Sequence, residues 1–207
     1  MPLEIGGLIM STTNELWHYG VKGMKWGVVN VKPKKVFVSG TSKMQDETSD
    51  YYRKQLPDKV SKQLDDYISN KSTILVGDAP GVDSMVQNYL ASKMYKNVEV
   101  FTSNSEPRYL SDKSWKINRI NPNVKLEDFN NDMEAYKKAF LRAKDIAMTK
   151  AADEGLAVIL ENGGAGATRN NIQRLSDMGK KIRIYLVHKY ENEVLDSWVS
   201  KSKYKKM

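Results

Sequence analysis

The sequence predicts an α/β domain, with a parallel sheet of about five strands and helices on both faces of that sheet. Short strand-like apolar runs alternate along the chain with segments of helical periodicity, which is typical of parallel sheets with helical crossovers. These runs are almost continuously apolar, as expected when helices cover both faces. Glycines cluster where an apolar run gives way to a helical pattern, and none occurs from residue 82 to residue 154.

The predicted elements follow in a regular order. Strands are predicted from runs of branched and aromatic apolar residues, at 34–39, 73–76, 97–102, 156–160 and 181–187. Helices are predicted mainly from apolar residues three and four positions apart, at 56–68, 82–94, 132–152, 168–178 and 190–200. The stretch 103–131 is polar and has little periodicity, so no regular element is predicted there.

The composition limits the classes of function. The 207 residues are 40% hydrophobic, which is enough for one domain with a sizeable core. No apolar run reaches the roughly 18–20 residues that a membrane span needs, so no membrane partner is expected. The absence of cysteine excludes disulfides and thiolate metal sites and fits a cytosolic protein. With only two histidines, His18 and His188, we predict no metal and no cofactor.

The net charge of +8 suggests an anionic partner at first sight. The last seven residues, however, hold four lysines and no acid, so half of the excess lies in one C-terminal tail. The remaining positive charge is small for a domain of this size. We therefore do not expect a nucleic-acid partner.

The second predicted strand runs directly into the turn Gly77-Asp-Ala-Pro-Gly-Val-Asp83. Gly77 and Gly81 allow a tight turn, and Pro80 suits the start of a helix, where its missing N–H is not needed. The free N–H groups of the first helical turn favour an anion. Asp78 is predicted to cap the helix, and Asp83 to bind a ribose hydroxyl or to order the loop. The alternative is an ordinary capped turn between a strand and a helix.

A second turn of this kind follows the fourth strand, in Glu-Asn-Gly-Gly-Ala-Gly-Ala-Thr-Arg at 161–169. Gly163, Gly164 and Gly166 can present consecutive N–H groups to an anion, and a close approach or a positive φ is expected at Gly166. Thr168 is predicted to cap the helix or to contact a phosphate, and Arg169 adds a nearby cation. The alternative is a flexible loop.

A third glycine-containing turn follows the first strand, where Ser39, Gly40 and Thr41 lie. In open parallel sheets, ligands bind beyond the carboxyl ends of the strands, at the turns into helices. One shared crevice explains the three turns better than three unrelated loops do. Their residues are therefore the candidate ligand-binding set.

The polar stretch 103–131 follows the third strand and is expected at the rim of this crevice. Arg108, Trp115 and Arg119 make it a candidate lid over the ligand. A plain surface insertion is the alternative.

The turns and their order resemble a known superfamily. The matching segments are Val-Phe-Val-Ser-Gly-Thr-Ser at 36–42, Val-Gly-Asp-Ala-Pro-Gly-Val-Asp at 76–83, Lys-Asp-Ile-Ala-Met at 144–148 with Ala-Asp-Glu-Gly-Leu at 152–156, and Gly-Ala-Gly-Ala-Thr at 164–168 with Asn-Asn-Ile at 170–172. Over 34–102 and 142–187 the chain resembles the SLOG superfamily, a Rossmann-like group that includes the Lonely Guy (LOG) proteins and DNA-processing protein A. The resemblance implies a Rossmann-like fold, a nucleotide-like ligand, often with a ribose phosphate, and a homo-oligomer.

The sequence departs from the LOG-type hydrolases at the positions that carry their chemistry. Those enzymes have Gly-Gly-x-Gly-Thr followed by glutamates, whereas this chain has Ala167 before the threonine and Asn170 and Asn171 in place of the glutamates. An amide cannot act as a general base or stabilise a developing cation as a carboxylate does. LOG-type catalysis is therefore not expected. The other acids near the crevice are Glu161, Asp78 and Asp83.

The N-terminal segment Leu-Trp-His-Tyr-Gly-Val-Lys-Gly-Met-Lys-Trp-Gly-Val at 16–28 has no helical or strand periodicity. It resembles a His-x-Gly-x-Lys-Gly-Met-Lys-Trp-Gly motif of tailed-phage proteins, which implies a phage origin and an association with the virion. An extended arm that packs on the domain or on a neighbour is the alternative. We divide the chain into an arm at 1–32, a nucleotide-binding domain at 33–190, and a C-terminal helix with a basic tail at 191–207.

These features predict a phage-encoded protein that binds a nucleotide or ADP-ribose-like ligand, with the sequestration of a host antiviral nucleotide signal as one use. One alternative is an N-glycosidase or deoxyribosyltransferase acting on nucleosides or nucleotides, and a second is a DNA-binding or virion structural protein. The expected location is the cytoplasm of the infected bacterium, with a virion protein as a further partner through the arm.

Overall fold

The computed structural model of the protein describes residues 33–42, 56–160, 166–187 and 194–199. They form the strands β1 (Lys35–Gly40), β2 (Thr73–Gly77), β3 (Val98–Thr102), β4 (Lys116–Arg119), β5 (Glu154–Leu160), β6 (Lys181–Val187) and β7 (Val194–Val199). The helices are α1 (Asp58–Ser69), α2 (Val82–Ser92), α3 (Met133–Ala151) and α4 (Gly166–Asp177), with a short 3-10 helix at Leu126–Phe129.

The strands form one sheet in the order β4-β3-β2-β1-β5-β6-β7. Every neighbouring pair is parallel except β6 and β7, which are antiparallel. The connection after β1 leads to β2 on one side, whereas the connection after the adjacent β5 leads to β6 on the other side. A crevice therefore opens at the carboxyl ends of β1 and β5.

Alternate residues of each strand face opposite sides of the sheet. Val36 and Val38 of β1 join a buried cluster with α1 and α2, whereas Phe37 joins a second cluster with α3 and α4. The helices bury their apolar faces in these clusters, as Leu64 of α1 and Ile172 of α4 illustrate. Helices cover both faces of the sheet, and the predicted Rossmann-like α/β fold is confirmed.

The start of α3 is fixed by a side-chain cap. The carboxylate of Asp132 accepts hydrogen bonds from the backbone N–H groups of Glu134, at 2.9 Å, and Ala135, at 3.1 Å. Among the described residues, no helix combines the length and the apolarity needed to cross a membrane.

The structure contains two strands that the sequence does not predict. β4 is a short edge strand with exposed Lys116 and Arg119, so it lacks the buried apolar run that marks the other strands. The helix predicted at 190–200 is wrong, because Val194–Val199 is a strand that pairs with β6. The apolar residues of this segment fit helical spacing, but the open edge of β6 offers hydrogen bonds to an extended backbone. The sheet therefore has six parallel strands and one antiparallel strand, rather than about five.

The arm predicted at 1–32 lies outside the described residues. All of the described residues belong to one compact unit, Pro33–Met207. The basic tail at 201–207 also lies outside them.

Candidate functional site

A pocket of about 230 Å³ lies at the carboxyl ends of β1 and β2, beside α3 and α4. Its lining comes from the exit of β1, the β2–α2 turn, one face of α3 and the first turns of α4. The residues predicted from the sequence that line it are Ser39, Gly40, Thr41, Gly77, Asp83, Arg108 and Thr168. The structure thus brings residues of the three predicted turns together at one site.

Other predicted residues do not reach this pocket. Asp78 and Gly81 belong to the β2–α2 turn but do not line the pocket. The remaining predicted residues that do not line it are Trp115, Arg119, Gly166 and Arg169. Gly163, Gly164 and Glu161 lie outside the described residues.

Two glycines allow the exit of β1 to pack against the start of α2. At Gly40, a Cβ atom would overlap the side chain of Val82. Gly81 precedes α2 with a φ of 85°, and a Cβ atom there would collide with the backbone of Ser42 and of Thr41. The N–H of Val82 donates to the carbonyl of Thr41 at 3.3 Å. The lack of a side chain at these positions therefore allows the exit of β1 and the start of α2 to lie in contact beside the pocket.

Asp78 is fully buried and accepts hydrogen bonds from surrounding residues. Thr102 Oγ1 donates at 2.8 Å, Arg108 donates from its backbone N–H at 3.1 Å and from its guanidinium at 2.8 Å, and Lys144 Nζ lies 3.4 Å away. Burial alone would raise the pKa of Asp78, but the hydrogen bonds from Arg108 and the charge of Lys144 outweigh it and hold the pKa well below its usual range.

The prediction that Asp78 caps α2 is therefore wrong. The N-cap position of α2 is Gly81, and no side chain caps it. The carboxylate of Asp78 instead ties the β2–α2 turn to β3 and to the segment that follows β3. Thr102 and Arg108 lie far from Asp78 in the sequence, so the spacing of residues along the chain could not reveal this contact.

Asp83 lines the pocket and orders the turn. Its Oδ2 atom accepts a hydrogen bond from the backbone N–H of Ala79 at 3.3 Å, and a Cβ atom at Gly77 would overlap its carboxylate. Burial raises the pKa of Asp83 to about 6, although the positive charge of Lys144 opposes the shift. A carboxyl group with this pKa is present in both protonation states near neutral pH. It can therefore accept a hydrogen bond from a ligand hydroxyl when ionised and donate one to it when protonated.

α3 contributes two charged residues that the sequence did not identify as site residues. Lys144 is buried, and it lies one turn before the buried Met148 on the same helix face. A lysine among the core-facing positions of an amphipathic helix is the signal that could have revealed it. Burial raises the pKa of the neighbouring Asp145, against the opposing charge of Lys144 and a hydrogen bond from Asn171.

Asn171 of α4 connects that helix to the exit of β1. Its Nδ2 atom donates to Ser39 Oγ at 3.1 Å, and its Oδ1 atom accepts from Arg174 at 2.6 Å. Asn171 is buried and lines the pocket, whereas Asn170 is exposed. The amide that stands in place of a LOG-type glutamate therefore has a donor and an acceptor role that a carboxylate could not fill.

The segment after β3 is attached to α2 by a buried glutamine. Gln87 Nε2 donates to the carbonyl of Gly77 at 2.8 Å, and Gln87 Oε1 accepts from the backbone N–H of Ser111 at 3.1 Å. Together with the Asp78–Arg108 contact, these bonds hold the segment against the turn.

The three lid candidates have different positions. Arg108 lines the pocket. Trp115 is only 3% exposed, packs in the core with α1 and α2, and donates from Nε1 to the carbonyl of Tyr95 at 2.8 Å. Arg119 is exposed and binds the carbonyl of Ser105 at 2.7 Å. The prediction that Trp115 covers the ligand is wrong, because its ring fills core space beside the edge of the sheet.

Gly166 is the exposed first residue of α4. Its φ is not in the left-handed region, and no described atom lies within 4 Å of a Cβ atom built there. The expectation of a positive φ at Gly166 is therefore wrong, and the packing of the described residues does not require glycine at this position.

The carboxylates in or beside the pocket are those of Asp78, Asp83 and Asp145. Within the described ranges, no group of three or more histidine, cysteine, aspartate or glutamate side chains could hold a metal ion. Asp78 is already engaged by cationic side chains. The described lining combines hydroxyl, amide, carboxyl and cationic side chains.

Residues 10–32 match the model of a family of unknown function, DUF7211. This match lies within the predicted arm at 1–32 and includes none of the residues that line the pocket. No curated protein and no solved structure gives a significant match to the chain.

Proposed function

We propose that the chain binds a nucleotide-like ligand, with the ribose phosphate portion in the pocket at the carboxyl ends of β1 and β2. The composition of the pocket lining carries this proposal. Hydroxyl, amide and carboxyl groups suit the hydroxyls of a sugar, and a lysine and an arginine suit a phosphate. The location supports the same proposal, because the pocket is lined by the exit of β1 and the start of α4, which border the crevice between β1 and β5, and ligands of open parallel sheets bind at such a crevice.

The size of the pocket supports a sugar phosphate rather than a whole nucleotide. Its volume of about 230 Å³ is below the roughly 300–1,000 Å³ that is usual for pockets enclosing a larger ligand. Thr168 places the amino-terminal turn of α4 at the pocket, where free N–H groups favour a phosphate. The base of a nucleotide would then extend beyond the pocket.

Calorimetric titration tests the proposal. We expect the wild type to bind AMP and ribose 5-phosphate, and Asp83→Asn to weaken both by about tenfold through the loss of a charged acceptor for sugar hydroxyls. The affinity for inorganic phosphate should change less than that for the sugar phosphates. Asp66→Asn, which removes an exposed carboxylate on α1, is the control and should bind as the wild type does. A wild type that binds neither AMP nor ribose 5-phosphate would refute the proposal.

Sequestration of a nucleotide signal is the use that such a binding protein would suit. This step rests on the phage-like arm and on analogy with the resembling superfamily. Native mass spectrometry of protein purified from phage-infected cells tests it. Stoichiometric bound nucleotide that is released intact by heat supports sequestration, whereas protein that carries none from infected cells contradicts it.

Cleavage or transfer at an N-glycosidic bond is a second candidate function. It is favoured by two carboxyl groups in the pocket, Asp83 and Asp145, whose pKa values are both raised by burial. In a hydrolysis, the protonated group would donate a proton to the leaving base as the C1′–N bond breaks. The ionised group would accept a proton from the water whose oxygen bonds to C1′. Free adenine appearing from AMP, detected by chromatography, would support this function, and unchanged AMP would exclude it for that substrate.

A further inference from the structure

We propose that the ligand surface extends from the pocket into two grooves along α3. A nucleotide lies across it with its base in one groove, its ribose in the pocket, and its phosphate at the start of α4, where Ala167 lines both the pocket and the other groove. This inference rests on the proposed function and specifies the ligand class further. The two grooves are called the aromatic groove and the basic groove. They are described in turn below by the residues that line them.

The aromatic groove has a volume of about 390 Å³ and is lined in part by Tyr136 and Phe140 of α3. The two rings meet edge to face, with centroids 4.8 Å apart, and both are partly exposed. Neither belongs to the two core clusters. Aromatic side chains beside a pocket, accompanied here by the cationic Arg108, provide a surface on which a nucleobase can stack.

The basic groove lies between α3 and α4 and has a volume of about 750 Å³. Its cationic residues are Lys138, Arg142 and Arg174, and its acidic residue is Asp145. The guanidinium of Arg174 is held at 2.6 Å by Asn171, a pocket residue, so its position is fixed relative to the pocket. This excess of positive charge suits a phosphate group.

Leu141 connects the three parts of the surface. It is 41% exposed, and it lines the pocket, the aromatic groove and the basic groove. Arg108 is shared by the pocket and the aromatic groove, and Asp145 by the pocket and the basic groove. The order aromatic groove, pocket, basic groove matches the order base, ribose, phosphate of a nucleotide.

Calorimetric titration of adenosine, AMP and ribose 5-phosphate separates the two grooves. Tyr136→Ala should lower the affinity for adenosine and for AMP by about tenfold, since both carry a base. It should leave the affinity for ribose 5-phosphate, which has no base, within about twofold of the wild type. Arg142→Ala should lower the affinity for AMP and for ribose 5-phosphate by about fivefold. It should leave the affinity for adenosine, which has no phosphate, within about twofold of the wild type.

Matched controls identify the cause of each loss. Phe129→Ala removes a ring that contacts Tyr136, with centroids 5.9 Å apart, but does not line the groove, and this variant should bind as the wild type does. Lys150→Ala removes an exposed cation of α3 outside the basic groove and should also be neutral. Thermal melting establishes that each variant is folded.

The inference and the proposed function can fail separately. If the wild type binds AMP but Tyr136→Ala and Arg142→Ala weaken all three ligands equally, or weaken none of them, the two-groove arrangement is wrong while the pocket assignment stands. If the wild type binds none of the three ligands, both are wrong.

Discussion

The two ends of the β2–α2 turn, residues 77–83, each carry an aspartate, and the two carboxyl groups behave in opposite ways. Asp78 at the strand end is surrounded by Arg108, Lys144 and Thr102, and the pKa of Asp78 is held low despite its burial. Asp83 at the helix end accepts a hydrogen bond from the N–H of Ala79, and burial raises its pKa to about 6. The partners of a buried carboxyl group, rather than its burial alone, determine its charge.

This difference separates a structural role for Asp78 from the ligand-binding role that we propose for Asp83. Asp78 is fully buried and does not line the pocket, so its charge is used within the protein. Asp83 lines the pocket and has a less fully compensated charge. Substitutions at the two ends should therefore affect different properties, and the following predictions run from the largest effect to the smallest.

Asp78→Ala should give the largest loss of stability. It leaves the buried Lys144 and the guanidinium of Arg108 without their anion, and removing one partner of a buried ion pair costs about 3–5 kcal/mol. Urea unfolding measures the change. Asp112→Ala is the control, because it breaks the exposed pair with Lys96 and should cost far less. Equal losses for both variants would mean that the Asp78 network contributes no more than a surface pair.

Gly81→Ala should cost about 2–4 kcal/mol, which combines left-handed strain with a collision against the backbone of Ser42 and Thr41. Gly179→Ala is a matched control, since Gly179 also has a positive φ, of 71°, but a Cβ atom there meets no described atom within 4 Å. Its cost should be the strain alone, about 1–2 kcal/mol. Urea unfolding of both variants compares them, and a Gly81→Ala loss no larger than that of Gly179→Ala would contradict the close packing of the turn.

Asp83→Asn should change how stability depends on pH. Because its pKa is about 6 in the folded protein and lower in the unfolded chain, Asp83 favours folding below pH 4, and this contribution is lost as the pH rises through 6. The free energy of unfolding of the variant, relative to that of the wild type, should therefore rise by about 1–3 kcal/mol between pH 4 and pH 7. Unfolding at both pH values measures this gain. A constant difference between variant and wild type would show that the pKa of Asp83 is not raised.

Arg119→Ala should have the smallest effect. Its guanidinium contacts Ser105 and the exposed Glu106 and does not line the pocket, so stability should change by less than about 0.5 kcal/mol. AMP affinity should also stay within about twofold. A larger loss of AMP affinity, measured by calorimetry, would indicate that Arg119 contacts the ligand, contrary to its position outside the pocket.

The fold was largely predictable because its elements are local. Continuous apolar runs such as 73–76 and helical faces such as 82–94 need no knowledge of distant contacts, and they lead to strands and helices at nearly the observed bounds. β4 and β7 were missed because each is defined by a neighbouring strand edge rather than by its own apolar pattern.

The candidate site was predictable only in part. The turns at Ser39–Thr41 and Gly77–Asp83 end parallel strands, so topology alone places them together. Lys144 and Asp145 belong to a helix whose apolar periodicity indicates which face is buried, but not which other parts of the protein that face contacts. Trp115 was assigned to the rim because an aromatic residue in a polar stretch looks the same whether it meets a ligand or a core.

A crystal structure of the protein soaked with AMP tests the central claim most directly. The account predicts electron density for the ribose in the pocket, within hydrogen-bond distance of Asp83 and in contact with the amino-terminal turns of α4. AMP bound elsewhere on the protein, with the pocket unoccupied at saturating concentration, would contradict it.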